Sequence, residues 1–232
     1  MRVRWYGQSA FLLNGERTVM IDPFRADARV EAASMGLKFE YPPIAGVNAD
    51  LLLITHEHFD HNGAEAILCS GPAIRSTAGR FDSPVGDVIA VVSEHDQMAG
   101  TELGPNTIFR FAVDDLVFCH LGDFGQSELR PAQLRALGEP DLVMIPAGGF
   151  STIGGEVAAA VARALNPRLV VAMHFRTDAI DFLEPPDAFL NAVSGNVQQL
   201  PASEFDPSEV LGSRQRPTVV VLAPPLAVAC QP

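Results

Sequence analysis

The sequence predicts an α/β (α+β) protein in which mixed sheet layers are covered by helices. Two observations carry this prediction. Short apolar runs rich in Val, Ile and Leu recur along the chain, and Gly, Pro, Asn or Asp bounds each of them, as is typical of strands. Segments with helical periodicity alternate with these runs in the second half, whereas the first half is mainly strand. This order disfavours a pure helical bundle and a pure β-sandwich.

Eight runs are predicted as strands. In chain order they cover residues 18–21, 51–55, 88–92, 107–112, 116–119, 142–145, 169–173 and 218–222. Asp114 and Asp115 form a two-residue turn between two of these runs, so residues 107–119 are predicted to be an antiparallel hairpin.

Helices are predicted at residues 64–69, at 131–137 with proline in the first turn, and at 156–165. The last of these is rich in alanine and ends before Pro167. Residues 36–48 and 183–212 are the candidate loops. Neither has the composition of a linker, so we expect one domain over residues 1–232.

Charge and cysteine content restrict the class of partner and the compartment. The chain has 16 basic and 28 acidic residues, a formal net charge of −12, which disfavours a long nucleic acid because phosphate neutralisation needs clustered Lys and Arg. Cys69, Cys119 and Cys230 are odd in number and far apart, which favours a reducing compartment. No segment has the apolar length of a signal peptide or a membrane span. We therefore expect a cytoplasmic protein with no membrane span.

The most apolar segment, residues 219–230, is broken by Pro224 and Pro225. It is interpreted as a last strand, with a subunit contact as the alternative. The sequence leaves open whether the chain forms a homo-oligomer.

Residues 56–61 read His-Glu-His-Phe-Asp-His and follow the apolar run 51–55 directly. An isolated histidine at a strand end is more often a hydrogen-bonded loop residue than a ligand. Three within six residues, in a chain with six histidines, instead indicate a metal site, because imidazole and carboxylate are the usual ligands of zinc and similar ions. The HExxH pattern of zinc proteases is excluded, since Asp60 occupies the place of its second histidine.

The remaining histidines share one feature of position. His95, His120 and His174 each lie at or just past the end of a predicted strand, and Asp123 follows His120 closely. Because α/β proteins commonly build their sites from loops at strand ends, one edge of the sheet layers is expected to gather these side chains.

This order of residues resembles the metal signature of the metallo-β-lactamase superfamily, which is HxHxDH followed by a separate His, Asp and His. The strings WYGQSAFLL, MIDPF, CHLGDFG and VAMHF extend the resemblance over nearly the whole chain. They look closest to the compact branch related to ascorbate-6-phosphate lactonase. The resemblance implies a four-layer αββα sandwich that forms a single hydrolase domain over residues 1–232.

The resemblance also implies two divalent metal ions, with zinc favoured and manganese or iron as alternatives. The first ion would be held by His56, His58 and His95, and the second by Asp60, His61 and His174. Asp123 would bridge the two ions, and Asp22 matches a supporting aspartate near the site. A hydroxide shared by the two ions would be the nucleophile.

Other residues have more than one interpretation. Asp60 is a candidate ligand and also a candidate acceptor of the hydroxide proton. His120 is a candidate catalytic residue, either supporting a ligand through a hydrogen bond, which we favour, or acting as a general acid; simple packing is the third alternative. Arg176 is a candidate for pairing with an anionic substrate group, or an ordinary surface arginine. Gly149 belongs to a glycine-rich string that could cradle a phosphate or carboxylate, or simply begin a helix. Cys119 is expected to be a buried strand cysteine and not a nucleophile.

Three departures from the family pattern bear on the substrate pocket. Gln8 stands where related chains often have histidine, Phe124 stands where a small residue is common, and Phe175 and Arg176 replace a more usual Tyr-Asn pair. None of them is a predicted metal ligand.

The sequence therefore predicts a binuclear metal-dependent hydrolase that acts on an ester-type bond, phosphodiester or lactone, of a small-molecule substrate. A non-catalytic metal-binding or ligand-sensing member of the same fold is the alternative. The complete ligand set disfavours that alternative, because degenerate members usually lose a histidine or an aspartate.

Overall fold

The computed structural model describes residues 1–226. These residues contain sixteen strands and five α-helices, joined by turns and irregular segments. The strands are β1 (Arg2–Gly7), β2 (Ala10–Asn14), β3 (Thr18–Ile21), β4 (Val47–Ala49), β5 (Leu51–Ile54), β6 (Ile67–Cys69), β7 (Ala73–Arg75), β8 (Gly79–Ser83), β9 (Gly86–Glu94), β10 (Pro105–Val113), β11 (Leu116–His120), β12 (Leu142–Pro146), β13 (Leu169–Met173), β14 (Asn196–Leu200), β15 (Glu204–Phe205) and β16 (Thr218–Leu222). The helices are α1 (Ala28–Ser34), α2 (Pro131–Leu137), α3 (Gly155–Leu165), α4 (Asp187–Ala192) and α5 (Pro207–Val210), and Ala64–Ala66 form a 3-10 turn.

These strands form two large mixed sheets and one small pair. The first large sheet has six strands in the order β15-β1-β2-β3-β5-β7, and the second has eight in the order β14-β16-β13-β12-β11-β10-β9-β8. β4 and β6 pair with each other in parallel. Within the sheets, β3 with β5 and β11 with β12 and β13 are parallel, whereas β1 with β2 and β9 with β10 are antiparallel.

The two large sheets face each other across the main core, and helices cover their outer faces. Alternate side chains of the first sheet, such as Phe11 and Leu53, belong to the same buried cluster as Phe109 and Phe118 of the second. The opposite face of the first sheet packs with α1 in a separate cluster, which includes Met20, Leu52 and Ala28. Helix α3 lies on the second sheet. The architecture is therefore the predicted four-layer αββα sandwich.

Helix α3 shows why the alanine-rich segment forms a cover for the second sheet. Its small residues Ala158 and Ala162, together with Leu165, are buried on the face that meets the sheet. The helix ends at Leu165, and Asn166 caps it with a left-handed φ of 50° before Pro167. The prediction of this helix is confirmed.

The predicted hairpin is confirmed. Strands β10 and β11 pair in antiparallel register, with Phe111 opposite Phe118. Asp114 and Asp115 at its turn have φ values of 48° and 65°, the conformation that a two-residue hairpin turn requires and that aspartate tolerates. All eight predicted strands are present.

The predicted helix at residues 64–69 is wrong. Only Ala64–Ala66 turn, and the next three residues form β6, which pairs with β4. In this strand Ile67 is buried and Leu68 is 73% exposed, the alternation of a strand with one covered face. Tertiary pairing here overrides a sequence with good helical propensity.

The prediction that residues 183–212 form a loop is also wrong, because this segment contains α4, β14, β15 and α5. Strand β14 escapes sequence detection because it is an edge strand with a polar sequence, Asn-Val-Gln-Gln-Leu, and mostly exposed or half-exposed side chains. Residues 36–48 are largely irregular, as predicted, although β4 begins at Val47.

The predicted last strand is present as β16, which lies between β13 and β14. The remainder of the apolar segment, including Cys230, lies outside the described residues. In residues 1–226, no helix combines the length and the apolar character that crossing a membrane requires.

Strand direction explains where the site forms. Because β2 is antiparallel to both β1 and β3, the carboxyl ends of β1, β3 and β5 lie at one edge of the first sheet. In the second sheet, β9, β11, β12 and β13 likewise run in the same direction. The residues that follow these strands meet between the two sheets.

Candidate metal centre

The carboxyl ends of five strands supply the predicted site. Asp22 follows β3, residues 56–61 follow β5, His95 follows β9, Asp123 comes three residues after β11, and His174 follows β13. All of these predicted residues lie together. His58 is the exposed member of the ligand set, so the site opens to solvent at that side chain.

Asp22 is the anchor of the histidine-rich turn. Its buried carboxylate accepts hydrogen bonds from the Thr55 amide at 2.8 Å, the Thr55 hydroxyl at 2.7 Å and His61 Nδ1 at 2.9 Å. Asp22 itself has a φ of 46°, an uncommon conformation that aspartate tolerates better than most residues. These contacts hold the start and the end of the turn against β3.

Three histidines are fixed with Nε2 as the free nitrogen. Nδ1 of His61 donates to Asp22, and Nδ1 of His95 donates to the Ser151 carbonyl oxygen at 2.9 Å. Since the Thr55 hydroxyl already donates to Asp22, it accepts from His56 Nδ1 at 3.0 Å. In the neutral rings, each Nε2 therefore carries a lone pair, as a metal ligand must.

Asp123 lies at the centre of these rings. Its carboxylate is 3.1 Å from Nε2 of His174, 3.2 Å from that of His95, 3.3 Å from that of His61 and 4.0 Å from that of His56. The Ser9 hydroxyl donates to Asp123 Oδ1 at 3.4 Å. One buried carboxylate thus reaches histidines from both predicted ligand groups.

The ligand atoms form two groups on either side of Asp123. His56, His58 and His95 form one, and Asp60, His61 and His174 form the other; in each group all ligand atoms lie within 4.8 Å of one another. His56 and His61 with Asp123 form a third set that joins the two. These are the two groups that the sequence resemblance implied.

Burial and neighbouring charges shift the pKa values of this cluster. Burial, and then the nearby His61, lower the pKa of His56 well below its usual value. Burial also disfavours charge on His61, but Asp123, Asp60 and Asp22 outweigh it and raise the pKa of His61 well above the usual value. Likewise, burial alone would raise the pKa of Asp123, yet His174 and His61 hold it well below its usual range. Positive charge is therefore disfavoured on His56, whereas the surrounding carboxylates favour it at His61.

The residues fit divalent metal ions. Nε2 of His56, of His61 and of His95 is buried and has no hydrogen-bond partner among the described residues. Unpartnered buried nitrogens are costly, and here three of them surround a carboxylate that can only accept when ionised. A bound cation would satisfy both kinds of atom. The set of imidazoles and carboxylates, with no thiolate, suits zinc, manganese or iron.

His120 has no free ring nitrogen. Its Nε2 donates to the Ser9 carbonyl oxygen at 3.0 Å, and its Nδ1 accepts from the Gly122 amide at 3.1 Å. Burial lowers its pKa, so the neutral ring that this pattern requires is favoured. The geometry favours a supporting role, in which His120 fixes the backbone on either side of the site, over the role of a general acid.

The residues predicted to bind substrate lie on two loops beside the centre. Arg176 is exposed, two residues after His174, and its Nε donates to the Leu183 carbonyl oxygen at 2.6 Å. The Gly149 amide donates to the Ile153 carbonyl oxygen of its own loop at 3.3 Å. It is therefore already hydrogen-bonded and is not free to bind an anionic substrate group. The same loop supplies the Ser151 carbonyl to His95.

Sequence reasoning missed Phe150. This side chain is 72% exposed, has a φ of 60°, and directly precedes Ser151, the partner of His95. Its ring meets that of Phe182, on the loop after β13, with the centroids 5.9 Å apart. The signal available in the sequence was an aromatic residue inside a glycine-rich string, which by itself predicts nothing about exposure.

Thr55 and Ser9 were also missed, because a hydroxyl that bridges site residues has no sequence pattern of its own. Cys119 is buried in β11, and burial raises the pKa of its thiol to about 12. A thiol with that pKa does not act as a nucleophile at neutral pH. Cys69 lies in β6 and belongs to none of the candidate ligand groups in the described residues.

Comparisons with a family model and with individual relatives point to the same family. Residues 2–174 match the family model described as the beta-lactamase superfamily domain. A UPF0173 metal-dependent hydrolase of Methylobacterium nodulans is 31% identical over 229 residues, which cover 84% of this chain and 93% of the relative. A second such hydrolase, from Pyrococcus horikoshii, is 29% identical and covers 76% and 85% of the two chains.

Among solved structures, the chain is similar to a protein of Thermotoga maritima described as a Zn-dependent hydrolase of the metallo-β-lactamase superfamily. The TM-score is 0.71 at 28% identity, and the match covers 95% of this chain and 98% of that one. The αββα sandwich described above is thus the fold of these hydrolases.

Proposed function

The chain belongs to the metallo-β-lactamase superfamily and is a metal-dependent hydrolase, and we propose that it uses two metal ions to hydrolyse an ester-type bond, phosphodiester or lactone, of a small substrate. The observation that carries this proposal is the pair of ligand groups, each of three residues, that share the buried carboxylate of Asp123. The resemblance to the lactonase-related branch enters this proposal only in the choice of lactones as test substrates.

The ligands divide between the ions as the two groups do. His56, His58 and His95 would hold the first ion, Asp60, His61 and His174 the second, and Asp123 both. Bound there, the ions would supply an acidified water as nucleophile and positive charge to stabilise the oxygens of the reacting bond. We favour zinc, with manganese and iron as alternatives.

The chain's own residues prepare this chemistry. Asp22, Thr55 and Ser151 hold Nδ1 of the three imidazoles, so Nε2 of each ring is the nitrogen directed at an ion. The Asp60 carboxylate, one ligand of the second group, is also the candidate acceptor for the proton that the attacking water loses.

The two loops beside the metal centre offer contacts to a small substrate. The Arg176 guanidinium suits an anionic group, since the residue is exposed and its Nε is held by the Leu183 carbonyl oxygen. Phe150 presents an exposed aromatic ring on the glycine-rich loop, packed against the half-buried Phe182 of the loop after β13. A substrate with an anionic and an apolar part would use both features.

The test is chelator-sensitive turnover. Protein reconstituted with zinc or manganese would be assayed on an activated phosphodiester and on a panel of lactones, before and after metal removal. We expect turnover of at least one class, lost on chelation and restored by metal. Protein that binds two ions and hydrolyses neither class faster than the metal-free protein would contradict the proposal and favour a ligand-sensing role.

A matched pair of variants separates the metal site from general disruption of the turn. His58→Ala removes a ligand of the first group, and we expect it to abolish turnover. Glu57→Gln changes the preceding residue, whose exposed carboxylate pairs with Arg75 at 2.7 Å outside the ligand set. We expect this control to keep turnover, since exposed ion pairs contribute less than about 1 kcal/mol. Equal loss in both variants would argue against the assignment of His58.

A further inference from the structure

The turn between β1 and β2 contacts two predicted ligands of the second metal ion through one residue, Gln8. This residue is fully buried, and its Nε2 donates to Asp60 Oδ2 at 2.9 Å. Its backbone carbonyl oxygen accepts from the His174 amide at 3.2 Å and from Trp5 Nε1 at 3.0 Å. Gln8 is therefore bonded at once to the carboxylate that follows β5 and to the backbone of the histidine that follows β13.

The path of this turn is set by packing. Gly7 has a φ of 106°, and a Cβ there would lie 2.3 Å from the Tyr41 ring, so only glycine fits. Gln8 follows with a φ of 51°. A non-glycine residue in this conformation persists only where its surroundings hold it, as the Trp5 and His174 donors do here.

The orientation of the Gln8 amide follows from its partner. An ionised carboxylate only accepts, so Nε2 must face Asp60. Oε1 is then buried and has no hydrogen-bond partner among residues 1–226. A buried acceptor without a partner is unfavourable, and the orientation persists because the bond to Asp60 is charge-assisted.

We propose that Gln8 is a positioning residue for the second metal ion: it holds Asp60 and His174 in place and, through Asp60, sets the affinity of that ion. The inference rests on the proposed function, because it requires the second ligand group to bind metal. Removing a residue that orients a ligand typically weakens metal binding 10-fold to 100-fold.

The test is a cobalt titration of Gln8→Met against a competing chelator, followed through the visible absorption bands of bound Co²⁺. Methionine has nearly the same length and no donor. We expect one of the two binding steps to weaken about 10-fold to 100-fold, with loss of its absorption bands at limiting metal, while the other step is unchanged. Gln8→Asn, which keeps the amide but is too short to reach Asp60, is expected to behave in the same way.

Gln133→Met is the matched control. Gln133 is also a buried glutamine, and its Nε2 donates to the Val92 carbonyl oxygen and to Gln126, neither of which is a predicted ligand. We expect Gln133→Met to lower the stability of the metal-free protein and to leave both cobalt steps unchanged. This separates the loss of a buried hydrogen bond from an effect on metal binding.

Combining Gln8→Met with a variant of each ligand group shows which metal ion the substitution affects. With His58→Ala, which leaves the second ligand group intact, Gln8→Met should still weaken the remaining step. With Asp60→Ala, it should leave the remaining step unchanged, because the contact through which Gln8 acts is gone. Unchanged cobalt steps in Gln8→Met, or equal weakening in both backgrounds, would overturn the inference. Wild-type protein that binds no cobalt would overturn the proposed function and this inference together, a result distinct from either of these.

Discussion

Replacing Asp22 with asparagine tests how the fold prepares its histidines. The change keeps the size of the side chain, and asparagine tolerates the φ of 46° at this position. The backbone should therefore keep its path. What changes is the hydrogen bonding, because one of the two oxygens that now accept from Thr55 and His61 becomes a donor.

Either orientation of the new amide has a cost. If its NH₂ group replaces Oδ2, it faces both the Thr55 hydroxyl and His61 Nδ1, and each of these must then accept. The His61 proton moves to Nε2, the atom 3.3 Å from Asp123, and the lone pair needed for metal binding is lost. If the NH₂ group replaces Oδ1, it faces the Thr55 amide, and two buried donors oppose each other at a cost of about 1–3 kcal/mol.

The cheaper of these arrangements sets the size of the effect. A cost of about 1–3 kcal/mol corresponds to about 5-fold to 150-fold in an equilibrium constant. We expect Asp22→Asn to weaken binding of the second metal ion by about 10-fold to 100-fold, the range typical of partners that orient a ligand. The lost negative charge acts in the same direction.

The assay is zinc binding against a competing chelator, together with chemical unfolding of the metal-free protein. Glu57→Gln serves as the control, since Glu57 lies in the same turn but pairs with Arg75 at the surface. An Asp22→Asn protein that binds both ions as tightly as the wild type, with unchanged stability, would refute the assignment of the His61 ring form.

Four further predictions concern the residues around the centre. Removing metal should abolish turnover and lower the unfolding temperature, because an ion present at about 1,000 times its Kd contributes about 4 kcal/mol; an unchanged melting curve would contradict this. His120→Gln should reduce kcat by less than the roughly 100-fold loss expected for a general acid; a larger loss, with a limb missing from the pH–rate profile, would restore that role. Cys119→Ala should keep turnover on every substrate, whereas its loss would point to thiol chemistry. Phe150→Ala should lower kcat/KM for esters with a large apolar group by about 10-fold and barely affect a methyl ester; an equal effect on both would place Phe150 outside the substrate site.

Strands and ligands were predictable because each has a local signal. The runs in the parallel strands are continuous in Val, Ile and Leu because such strands are buried on both faces, and the runs at residues 88–92 and 107–112 form antiparallel strands of the same apolar residue types. His56, His58 and His61 were predictable as a group because they share one turn, and Asp22 through the family resemblance. The position of each candidate ligand after a strand was then enough to expect convergence at one edge.

The parts that were missed depend on distant partners. Ile67–Cys69 form a strand only because Val47–Ala49 lie beside them. Strand β14 is polar because it lies at the sheet edge. The same holds at the site, where the importance of Gln8 and Thr55 lies in hydrogen bonds to Asp60 and Asp22, and no local pattern marks such bonds.

The central claim is that two ligand groups, joined by Asp123, each hold one metal ion. Counting the metal ions bound per chain by native mass spectrometry, with a weak competing chelator present, tests it most directly. We predict two ions for the wild type, one for His58→Ala and one for Asp60→Ala. A wild-type chain with fewer than two ions, or variants that keep both, would contradict the account.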